Sequence, residues 1–89
     1  MVVEKNLTML NRAGMHLRPA SKIVSALRDL ECDVEMTFDG RTANAKSIIS
    51  LTQLLAPQHG VLHVKATGPD ALRAVAALER LFREKFEED

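Results

Sequence analysis

The chain has 89 residues, is 46% hydrophobic, and carries twelve basic against twelve acidic side chains. That is too apolar for a disordered chain and enough for one modest core, so a single domain over 1–89 is expected. The balanced charge, with no long block of one sign, excludes general nucleic-acid affinity and a polybasic membrane anchor.

Val3, Leu7 and Met9 share one face of a first strand, with Glu4, Asn6 and Thr8 opposite and Lys5 a mild interruption. A loop containing Gly14 then delivers His16 to the start of a helix over about 17–29. Ala20, Ile23, Val24, Leu27 and Leu30 fall on one side of that helix. Pro19 suits its first position, where a missing N–H costs no intrahelical bond. Cys32, Val34, Met36 and Phe38 alternate with Asp33, Glu35 and Thr37, the pattern of a half-buried strand. Asp39-Gly40 signals a two-residue hairpin, and 41–43 should be a short return strand.

A second helix is expected over 47–55, stopped by Pro57, and a fourth strand over 61–66. Gly68-Pro69-Asp70 introduces a last helix with Ala71, Val75, Leu78, Phe82 and Phe86 on its inner stripe. The acidic segment 84–89 reads as a frayed, solvated helix end. The order β-α-β-β-α-β-α predicts an α+β fold of open-faced β-sandwich type. Its four-stranded, mostly antiparallel sheet is covered on one face by three helices. The other face, with Glu4, Asp33 and Glu35, is expected to be wet.

Cys32 is the single cysteine, which excludes an intrachain disulfide and a cysteine-based zinc site. Its strand position reads as that of a small buried hydrophobe. His16, His59 and His63 show no metal-ligand spacing; His59 reads as a loop residue and His63 as the outward position of a strand. No metal or other cofactor is called for. With no hydrophobic leader and no membrane-length apolar run, a cytoplasmic protein without membrane insertion is expected.

His16 carries the chemistry. A loop histidine taken alone is usually inert, but here Gly14, Arg18 and Pro19 surround it. The first N–H groups of a helix, those of Leu17 and Arg18, have no intrahelical partner, and the dipole makes that end electropositive. An imidazole can be a nucleophile near neutral pH. A group held by backbone N–H donors and a guanidinium is an anion, and phosphate is the natural candidate. A phosphorylated imidazole transfers readily, which suits a carrier, whereas phosphoserine is stable and suits a switch. Ser47, at the start of the second helix, has the character of an N-cap.

Three segments resemble the HPr family, the histidine-containing phosphocarriers of the bacterial phosphoenolpyruvate-dependent sugar phosphotransferase system. Gly14-Met15-His16-Leu17-Arg18-Pro19-Ala20 is similar to the family's Gly-[Leu/Met]-His-x-Arg-Pro-Ala pattern. Asn44-Ala45-Lys46-Ser47-Ile48 is similar to its second signature, and Gly68-Pro69-Asp70 precedes the terminal helix as in the family. The resemblance implies that His16 accepts a phosphoryl group on Nδ1 from phosphorylated Enzyme I and passes it to the IIA component of a sugar permease. It implies that Arg18 helps hold that group. Ser47 would be the position that an ATP-dependent HPr kinase/phosphorylase modifies in many bacteria. Lys46, Ile48, Ile49 and Leu51 would form the partner-docking surface, with Ile48 or Leu51 exposed. The protein would be a monomeric, stoichiometric carrier and not a free-standing enzyme.

Two departures bear on partner choice. The stretch from Ser47 to Gly60 is one residue longer than the family spacing, and Ile48, Ile49 and Leu51 stand where methionine or phenylalanine is common. Other readings stay open: a nitrogen-related or regulatory paralogue using the same His16, and a silent homologue acting only through phosphorylated Ser47. For Ser47, a cap that serves docking and a cap that also switches are both compatible with the residues. An RNA-binding α/β domain is disfavoured by three Phe with no Tyr or Trp and by the neutral charge.

Overall fold

The computed structural model describes residues 1–88. Seven main elements follow in order: β1 (Val2–Thr8), α1 (Leu17–Leu27), β2 (Asp33–Phe38), β3 (Arg41–Asn44), α2 (Ile48–Thr52), β4 (Val61–Thr67) and α3 (Ala71–Arg83). The strands form one sheet in the order β1-β4-β2-β3, every neighbouring pair antiparallel. Strand alternation decides which face is covered. Leu7, Val34, Met36, Ala43, Leu62, Val64 and Ala66 are buried beneath the helices, while their sequence neighbours on the strands are mostly exposed. Glu4, Asp33 and Glu35 stand on the open face, as expected. Lys5 lies on the covered side by parity, and its ammonium escapes to the edge to pair with Glu79 of α3. Among the described residues, no helix is long and apolar enough to cross a membrane.

The Asp39-Gly40 signal is realised as a two-residue turn: Phe38 pairs with Arg41, and both turn residues have left-handed φ, 50° and 79°. The remaining boundaries depart from expectation in three places. Helix α1 begins at Leu17 as expected but ends at Leu27, short of residue 29, and Pro19 is its third residue, not its first. Proline is tolerated there because the first four N–H groups of a helix lack partners, not only the first. Helix α2 stops at Thr52 and does not continue to 55. Leu54 turns into the core and Leu55 takes a left-handed φ of 56°, which no helix can continue through.

The third departure is the C-terminus. Segment 84–88 is not a frayed helix end. Lys85, Phe86 and Glu87 adopt φ of 56°, 54° and 60°, turning the chain back over the body. Phe86 is fully buried and meets Phe82 edge-to-face at 4.9 Å between ring centres. It does belong to the core, but on this strap rather than on the stripe of α3.

Candidate functional site

Backbone bonds fix the approach to His16. Residues 11–14 form a turn in which the Gly14 N–H donates to the Asn11 carbonyl (3.2 Å), with asparagine and glycine at the positions such turns favour. The loop after α2 latches onto it. The Met15 N–H donates to the Ala56 carbonyl (2.8 Å), and the His59 N–H donates to the Met9 carbonyl (2.6 Å). The loop between α2 and Gly60 therefore buttresses the His16 loop.

His16 is the N-cap residue of α1, with extended backbone angles (φ −116°, ψ −168°), and its carbonyl accepts the Ala20 N–H. The side chain makes no cap bond and is free for other work. Leu17 and Arg18 follow as the first two helical residues. Among the described residues their N–H groups have no hydrogen-bond partner. His16, Leu17, Arg18, Ser21 and Lys22 line one shallow, open depression. It offers two fixed donors and a guanidinium beside a histidine.

Glu88 completes the arrangement, and sequence reasoning missed it. Its Oε1 lies 2.9 Å from His16 Nε2 and also accepts a hydrogen bond from Asn11 Nδ2 at 2.9 Å. Asn11 is wholly buried and donates a second bond from Nδ2 to the Gly14 carbonyl (2.8 Å). The hydrogen bond to His16 holds the Glu88 carboxyl below the usual carboxylate range; burial opposes this, and Asn11 and Arg18 assist. Because the shift is downward, the carboxylate's contribution to folding is present above its ordinary pKa. It is lost as pH falls through the lowered value. Lys22 ties down the strap, donating to the Phe86 carbonyl at 2.6 Å. No local signal marks Glu88, which stands 72 residues from His16.

The second signature behaves differently. Ser47 caps α2, its Oγ accepting the Ser50 N–H at 3.2 Å. Ile49 is 71% exposed and Leu17, on the adjoining helix, 66%. Ile48 is half-buried against the core. Leu51 was expected on the docking surface and is instead fully buried. A five-residue helix has one inward stripe, and Leu51 occupies it. Lys46 does not join the depression at His16: its ammonium donates to the Leu30 carbonyl (2.7 Å), beyond the far end of α1. That end is about 16 Å along the helix axis from His16. Cys32, expected as a buried strand residue, lies just before β2 and is half-buried against the core; its thiol is raised chiefly by burial, with Lys46 opposing. His63 projects from the open sheet face, its ring bridging Asn6 (3.0 Å) and Glu4 (2.7 Å), apart from this site.

The family model described as the PTS HPr component phosphorylation site matches residues 3–84. The chain belongs to the HPr family. The phosphocarrier protein HPr of Treponema pallidum is 40% identical over 88 residues, covering 99% of this chain and all of the relative. The phosphocarrier protein NPr of Escherichia coli K12 is 36% identical over 90 residues, the full length of both. The crystal structure of HPr-C-His from Thermoanaerobacter tengcongensis superposes with a TM-score of 0.91 at 31% identity, covering 98% of each chain. An HPr-type phosphocarrier of the phosphotransferase system is therefore the class of this protein. The family-model match ends at residue 84, whereas the match to the Treponema pallidum HPr covers 99% of the chain and so takes in the strap that carries Phe86 and Glu88.

Proposed function

We propose that the chain is a stoichiometric phosphoryl carrier that accepts the group on His16 from phosphorylated Enzyme I and passes it to IIA-type acceptors of sugar permeases. One observation carries the reading. His16 stands at the N-terminus of α1 beside the unpaired N–H groups of Leu17 and Arg18, in one open depression with the Arg18 side chain. A transferring phosphoryl group spreads negative charge over its oxygens, and fixed donors plus a guanidinium answer that charge. Arg18 is suited to the task because its fork can bond two oxygens at once. The shallow depression leaves the rest of the catalytic surroundings to the partner, which fits a carrier inert alone. The exposed Leu17 of the depression and the exposed Ile49 of the adjoining α2 supply apolar side chains for docking. A phosphoryl group on Ser47 would add about two negative charges next to them and so disfavour acidic partners.

The end-to-end likeness to an NPr protein supports a second reading, in which the same His16 chemistry serves a nitrogen-related or regulatory relay. The test is transfer from phosphoenolpyruvate through purified Enzyme I of the sugar and nitrogen types in parallel. The proposal expects faster transfer from the sugar type, by at least tenfold. The reverse order selects the second reading, and no transfer from either overturns both.

A further inference from the structure

Glu88 is delivered to His16 by the fold. Three successive left-handed residues, a backbone state that costs of order 1–3 kcal/mol for each non-glycine position, bend the chain back after α3. Burial of Phe86 and the Lys22 bond to its carbonyl hold the bend in place. The carboxylate that arrives is only 14% exposed, against 41% for the imidazole it meets.

We infer that Glu88, steered by Asn11, is a positioning residue for phosphoryl transfer: it holds the proton of His16 on Nε2 and leaves Nδ1 as the nucleophile. The inference rests on His16 being the acceptor. A neutral imidazole has one N–H donor and one lone pair. An ionised carboxylate only accepts, so the ring nitrogen 2.9 Å from Glu88 is the donor and the lone pair belongs to Nδ1. Nδ1 has no hydrogen-bond partner among the described residues. Asn11 fixes the carboxylate in turn, because the same amide nitrogen bonds both Glu88 Oε1 and the Gly14 carbonyl.

The step then balances simply. The Nδ1 lone pair forms a bond to the phosphorus of a phosphoimidazole donor as the donor's P–N bond breaks. The electron pair of that bond stays on the donor nitrogen. The Nε2 proton does not move. The imidazole ring of His16 gains positive charge, and the Glu88 carboxylate beside Nε2 offsets it. In onward transfer the Nδ1–P pair returns to Nδ1 and the ring is neutral again.

The full-length protein tests this through Glu88→Ala and Glu88→Gln, with ring-nitrogen NMR of the unphosphorylated chain and phosphoryl acceptance measured side by side. Wild type should show the Nε2–H tautomer alone and carry phosphate on Nδ1. Glu88→Ala should relax toward the tautomer mixture of a free histidine and accept phosphate on the order of tenfold more slowly. Glu88→Gln keeps an acceptor oxygen without the charge, and should retain the tautomer while slowing transfer. A wild-type tautomer and rate in Glu88→Ala, or phosphate on Nε2 of the wild type, overturns the inference. Failure of the wild type to take phosphate at all refutes the acceptor reading instead, and the tautomer spectra still decide whether Glu88 orients the ring.

Discussion

Replacing Gly14 with alanine should destabilise the protein by about 2–5 kcal/mol, the sum of a left-handed backbone cost and an overpacking cost. Gly14 has φ +71°, and a Cβ there would collide with the Ala56 carbonyl oxygen and stand 2.9 Å from Pro57 Cα. Both obstacles are backbone, so no side chain can swing aside. The Ala56 carbonyl is also the acceptor for the Met15 N–H, the bond that seats the residue before His16. Relief of the clash therefore moves the candidate site as well as the loop. Urea unfolding gives the stability loss, and phosphoryl acceptance below the midpoint gives the displacement. A variant with wild-type stability and transfer would show that the loop does not position His16.

Phe86→Ala is expected to cost about 3–5 kcal/mol, the usual range for truncating a buried aromatic. For a domain of this size that is a large share of a total near 5–15 kcal/mol. The ring is fully buried against Phe82, and its removal also releases the strap that presents Glu88. Glu87→Ala, one residue on, removes only an exposed ion pair with Lys22 (3.3 Å), should cost less than about 1 kcal/mol, and serves as the control. Equal unfolding midpoints for the two variants would mean that the segment is solvated, as its acidic composition suggests.

That segment marks where the sequence ceased to be legible. Strand alternation identified the inward Val34 and Met36 of β2 and the outward His63 of β4 because burial on one face writes a period of two into the chain. The hairpin was legible because only a few residue pairs tolerate two left-handed positions. His16 was legible because Gly14, Arg18 and Pro19 constrain it locally. Glu88 and Asn11 were not, since their meeting depends on how α3 ends and how far the strap turns back. Phe86 fell on the helical period by coincidence, and its burial was correctly expected from a wrong backbone. Leu51 was misassigned to the surface because the three apolar residues of a short helix do not reveal which one points inward until the packing of α1 against α2 is known.

The central claim is that His16 carries the phosphoryl group. The imidazole makes no cap bond and its one hydrogen bond among the described residues is to Glu88, so His16→Ala should keep the fold with a modest loss of stability, which unfolding measured in parallel separates from the chemistry. The most direct measurement is intact mass after transfer from phosphoenolpyruvate through Enzyme I, before and after mild acid, on wild type and His16→Ala. One phosphate on the wild type, removed by acid and absent from a folded His16→Ala, is the predicted result. An acid-stable phosphate, or equal labelling of the two chains, would contradict it.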